Sequence, residues 1–151
     1  MTTIYSYQKV STPYTVIQAV LPDSAGANDE LHCTELCTID GITYLSVPDG
    51  VTLPAQPPEI TLETVTLTPE LREQIKAASV HVAFIAERMI QKIRAAYSID
   101  DEMYFARIGV GAANGMYTPT AGEMADMQAF GEFVESVRQW GRTERAKLGL
   151  A

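Results

Sequence analysis

The chain has 151 residues, 19 of them acidic and 11 basic, for a formal charge of −8 at neutral pH. That sign, with no Lys/Arg cluster to reverse it locally, repels phosphate backbones and removes nucleic acid from the expected partners. The apolar share of 46% excludes a wholly disordered chain, and no stretch approaches the ~20 apolar residues that span a bilayer, so no membrane partner is expected. The opening "MTTIYSYQKV" carries neither the basic nor the apolar region of a secretory signal. A chain made and kept in aqueous surroundings is the expectation.

The first 60 residues follow a β pattern. "TIYSYQKV" reads as a short strand. "TPYTVIQAVLPD" reads as a longer one, alternating through Tyr14 and Val16, apolar from Ala19 to Leu21, and stopping at Pro22-Asp23. "DSAGANDE" follows as a polar loop. "ELCTI" and "ITYLSV" are two β-prone runs separated by Asp40-Gly41, the pair preferred in type I′ turns because both central residues take positive φ. In the second arm Ile42, Tyr44 and Ser46 share one face while Thr43, Leu45 and Val47 share the other, so neither face is cleanly polar. Cover on both sides is predicted, from the domain itself or from a partner whose sheet the hairpin completes.

Five of the eight prolines fall between Val47 and Pro69. Proline removes a ladder donor, so this stretch is expected to be an extended linker that pairs briefly at "ITLETVTL". After it the period changes to three and four. Thr68-Pro69 is a helix start, and Leu71, Ile75, Ala78, Val82, Ile85, Met89 and Ala96 form one stripe along a single long helix. Val80, Phe84, Ile90 and Ile93 lie partly off that stripe. Ser98 caps a short helix, "IDDEMYFARI", whose first turn holds Asp100, Asp101 and Glu102. "GVGAANG" reads as a flexible connector. The last helix starts near Thr118-Pro119 or Thr120, with Glu123 completing a capping box, and runs its stripe through Met127, Phe130, Val134, Val137 and Trp140 towards Gly149. The fold class is therefore α+β: a β module at 1–48, a Pro-rich linker at 49–67 and a helical hairpin domain at 68–151.

Candidate chemistry is sparse. His32, Cys33 and Cys37 stand close together, but a structural zinc needs about four ligands; His81 sits on a helix, a second cysteine pair is absent, and Asp29 or Glu30 would have to be recruited as an oxygen ligand. A Cys33–Cys37 disulfide meets a geometric obstacle, since residues four apart in a strand are separated by about 13 Å against a limit of ~7 Å. Small apolar side chains at the start of a hairpin are the preferred reading, with a bridge between chains left open. The glycines of "GVGAANG" follow a helix and lack the lysine of a phosphate loop. Ser79 and His81, two apart on a helix, point in different directions. The sequence contains no G-x-S-x-G or H-E-x-x-H, no carboxylate pair can be assigned to a cleft, and neither an enzyme nor a cofactor is expected.

"IRAAYSIDDEMYFARI" and "FGEFVESVRQWGRTERAKLGL" resemble the helical C-terminal region of short proteins encoded among the tail, baseplate and tail-fibre genes of tailed bacteriophages. The likeness covers about residues 68 to 150. It implies a non-enzymatic virion component made in the host cytoplasm, with other virion proteins and copies of itself as partners. It also implies that Tyr97 and Trp140 lock the helix ends and that Ser98 with Asp101 caps the turn. Phe84 and Phe130 join them as candidate interaction residues. A transient tail-fibre assembly chaperone is the alternative.

Overall fold

A computed structural model describes residues 1–22 and 32–151 and has α+β architecture. The "DSAGANDE" loop and the oxygen ligands Asp29 and Glu30 lie outside the described residues. Two compact units are present, Met1–Phe84 with Thr143–Ala151, and Ile85–Arg142.

The first unit is built on an antiparallel sheet. β1 (Thr2–Gln8), β4 (Thr34–Ile39), β5 (Ile42–Pro48) and β6 (Glu63–Thr64) are ordered β4-β5-β1-β6, while β2 (Val10–Ser11) and β3 (Val16–Ile17) form a separate ribbon. The β4–β5 hairpin turns at Asp40 (φ 51°) and Gly41 (φ 80°), the paired positive values a type I′ turn requires. β5 is buried from Thr43 to Pro48, as its two-faced pattern predicts. The cover of both faces comes from the unit itself, and β5 is an interior strand between β1 and β4, with β4 at the edge of the sheet.

On one face Ile4, Leu36 and Tyr44 pack with Ile75 of α1 (Pro69–Ala78) and with Leu150. On the other, Tyr7 and Leu45 pack with Ala19 and Ile60, flanked by Ile17, Leu21 and Leu62. A bulge between Glu35 and Cys37 inserts Leu36 against β5. The extra residue brings Leu36 to the same face as Cys37 and Ile39, where strict alternation would have sent it and Cys37 to opposite sides.

The stretch at 49–67 is a layer of the first unit and not a linker, because Ile60, Leu62, Val65 and Leu67 supply its prolines with apolar anchors. Its brief pairing is present, as β6 against Tyr5 and Ser6 of β1. The strand expected across "TPYTVIQAVLPD" shrinks to β3. Beyond it the Gln56 amide serves as the partner of Val20, accepting from its N–H at 2.9 Å and donating to its carbonyl at 2.9 Å, in place of a neighbouring strand.

The single long helix is two, α1 and α2 (Val80–Ala96), divided at Ser79. Ser79 takes an extended ψ of 121°; its N–H closes α1 on the Ile75 carbonyl and its own carbonyl accepts from Ala83 to open α2. The Ser79 hydroxyl is buried without a hydrogen-bond partner among the described residues, so the backbone alone makes the junction. The last helix, α4 (Ala121–Lys147), ends as expected at Gly149, φ 76°. There the Leu150 N–H returns to the Arg145 carbonyl and the Gly149 N–H to that of Ala146, a Schellman motif. No helix among the described residues is long and apolar enough to cross a membrane.

Candidate interaction surface

The second unit contains most of α2, all of α3 (Ile99–Ala113) and most of α4. Ser98 starts α3 with a complete capping box. The Asp101 N–H donates to Ser98 Oγ at 3.0 Å, and the Ser98 N–H and hydroxyl donate to Asp101 Oδ2 at 2.7 Å each. These bonds hold the Asp101 carboxyl below the usual carboxylate range, the Ser98 hydroxyl contributing most. Arg94 reaches Glu102 across the turn at 2.7 Å.

α3 runs further than the sequence suggests. Gly109 and Gly111 lie inside it, and the "GVGAANG" connector is reduced to the turn at Gly115. Gly111 is needed at close quarters: a Cβ there would sit 3.0 Å from that of Tyr117, and the Gly111 carbonyl accepts from both Met116 and Tyr117 as the chain doubles back.

Thr120 and Glu123 then open α4 with a second capping box, the Thr120 N–H donating at 2.8 Å and Thr120 Oγ1 accepting from the Glu123 N–H at 3.1 Å. The same carboxylate accepts from the Tyr104 hydroxyl at 2.9 Å and from Tyr117 at 2.9 and 3.0 Å. The Thr120 backbone first, then the two phenols, hold Glu123 below the ordinary glutamate range; in return the carboxylate pushes Tyr104 and Tyr117 upward.

A depressed acid stabilises the fold above its unfolded value, about 4.3, and loses that contribution as pH falls through the lower folded value. The raised tyrosines act in mirror image, stabilising below about 10 and losing the effect as pH climbs through their folded values. Carbonyl NMR of Glu123 should give a midpoint below about 4.3, and Tyr104→Phe with Tyr117→Phe should move it up. An unshifted midpoint in the wild type would show that the node does not persist in solution.

Tyr97, Phe105, Phe130 and Phe133 form one aromatic cluster. Tyr97 meets Phe130 edge-on at 5.0 Å, Phe133 at 5.5 Å and Phe105 at 6.2 Å, and Phe105 meets Phe130 at 5.3 Å. Such pairs contribute about 0.5–1.5 kcal/mol each beyond area burial. Trp140 stands apart, under the Lys92 ammonium at 4.8 Å. Tyr97, the residue after α2, packs on Phe130 and Phe133 of α4, and Trp140 of α4 lies beneath Lys92 of α2. Together with Met89 against Gly141, these contacts make α2 and α4 antiparallel. Lys92, Phe133, Ser136, Val137 and Trp140 line a shallow open groove of about 450 Å³.

The remaining candidates lie in the first unit. Phe84 is 58% exposed. His32 is exposed, and Cys33 and Cys37 are half-buried free thiols. Burial pushes both thiols up, with the Glu35 charge adding to the effect on Cys37, so little thiolate is present at neutral pH for metal or nucleophilic chemistry. Among the described residues no three His, Cys, Asp or Glu side chains stand close enough to hold a metal ion.

Sequence reasoning missed Phe133, one step off the α4 stripe, Phe105, on a helix for which it traced no stripe, and the Tyr104–Glu123–Tyr117 node. It also missed the outer face of α3. Ile99, Met103 and Val110 are 60–61% exposed, and with exposed Ala106 they recur at steps of four, three and four. At 100° per residue the four fall within about 60° of arc, opposite the face that buries Ile108.

No protein-family model, curated protein or solved structure matches this chain.

Proposed function

We propose that the chain is a non-enzymatic structural component of a bacteriophage virion, joining tail, baseplate or tail-fibre subunits. One observation carries the reading. In the helical unit the large aliphatic side chains brought below one-tenth exposure are Ile85, Ile108 and Val137, while Ile90, Ile99, Met103, Val110, Met116 and Met124 remain 58–85% exposed. Apolar surface arranged in that proportion favours burial between chains over a life as an isolated domain. The net charge of −8 supports protein partners over nucleic acid. The residues that carry the likeness to phage tail-region proteins, Tyr97, Ser98, Asp101 and Trp140, all serve helix packing or capping and leave no group set aside for a reaction.

Quantitative mass spectrometry of purified particles tests the proposal. The chain is expected in a fixed ratio to tail or baseplate subunits. Presence in infected cells with loss from purified particles would overturn it in favour of a transient assembly chaperone.

A further inference from the structure

The outer face of α3 is self-complementary. In an antiparallel pair centred between Tyr104 and Phe105, Ile99 lies opposite Val110 of the second copy and Met103 opposite its Ala106, a bulky residue against a small one. The flanking charges match as well. Asp100 and Arg107 lie on the same side of the stripe, seven residues apart, and neither belongs to an ion pair among the described residues. A two-fold axis that reverses the helix keeps this flank on one side of the interface. It brings each Asp100 within about 3 Å of axial rise of the other copy's Arg107, at 1.5 Å per residue. The parallel arrangement instead sets Asp100 beside Glu102 of the second copy, like charge against like.

We propose that α3 pairs antiparallel with α3 of a second copy of this chain through Ile99, Met103, Ala106 and Val110, with Asp100–Arg107 ion pairs at both ends of one flank. The inference rests on the assembly reading above, and gives it a first partner. The stripe is narrow compared with the ~800 Å² per partner of a standard interface, so the isolated pair is weak and reversible. Its rim charges make it weaker still as salt rises.

Charge reversal with remixing provides the test, read by sedimentation at protein concentrations up to about 1 mM, where a weak pair is populated. The wild type should dimerise reversibly. Asp100→Arg and Arg107→Asp alone each place like charges together twice per dimer and should weaken it at least about tenfold. In an equimolar mixture of the two variants, each mixed dimer sets the two basic side chains of one copy against the two acidic side chains of the other. Both opposite-charge pairs are restored, and the dimer should recover. Circular dichroism on the same samples establishes that each variant is folded, and because the mixture contains only those molecules, its recovery cannot come from repaired folding. A wild type that stays monomeric, single variants that dimerise as tightly as wild type, or a mixture no tighter than its components would each overturn the proposal. If the mixture recovers while the chain proves absent from particles, only the virion reading falls.

Discussion

Leu150→Ala is expected to destabilise the first unit by about 3 kcal/mol, within the ~2–5 kcal/mol seen when buried leucines are truncated. Leu150 is fully buried although it is the penultimate residue, and it packs with Ile4, Leu36, Tyr44 and Ile75. Its place is fixed by the Schellman turn, in which Gly149 at φ 76° reverses the chain so that the residue after it swings back over the sheet. Thr2 ties the same corner, its hydroxyl donating to the Lys147 carbonyl at 3.1 Å. Denaturant titration should show a lower midpoint with an unchanged slope. A loss below about 0.5 kcal/mol, the scale of an ordinary surface change, would mean that Leu150 does not fill the core in solution.

Gly141→Ala should stabilise by an amount that depends on the residue opposite it. Inside a helix, glycine to alanine normally stabilises by about 1 kcal/mol. Here the added methyl would overlap the Met89 sulfur and lie 3.1–3.2 Å from its neighbouring carbons, at a buried crossing of α2 with α4. The obstacle is the flexible end of a half-buried methionine, which swings aside at small cost, so in the wild-type background the gain is expected to shrink below about 1 kcal/mol without reversing. In a Met89→Ala background the obstacle is gone and the same substitution should stabilise in full. A gain no smaller in the wild type than in the Met89→Ala background would show that the methionine end does not meet the added methyl.

Features that depend on neighbours in sequence were legible before the structure. Asp40-Gly41 marks its turn because two adjacent residues must both take positive φ, and Ser98 and Thr120 mark helix starts because their partners, Asp101 and Glu123, are three residues away. The stripe of α4 was equally readable from its period. Ser79 was not, since the apolar spacing continues in step on both sides of it and periodicity does not register a break in the backbone. The prolines from Pro48 to Pro58 suggested a linker; the contrary signal was the alternate apolar run Ile60, Leu62 and Leu67 with Val65, whose partners are distant in sequence. Leu36 and Leu150 carry no local mark at all: one reaches its face through a bulge and the other through the fold of the C-terminus. The candidate surface followed the same division. The caps and the aromatics Tyr97, Phe130 and Trp140 are legible in the sequence, whereas Phe105, Phe133 and the tyrosine node are not, and the α3 face becomes visible only once it is known which side of that helix the unit buries.

Neighbouring chains are expected to cover the apolar surface this molecule leaves bare. A side-chain-resolution map of the assembled phage particle measures that most directly. Ile99, Met103 and Val110 are expected beneath protein density, with Asp100 facing Arg107 of an adjacent copy. Those three side chains standing in solvent in every copy of the chain would contradict it.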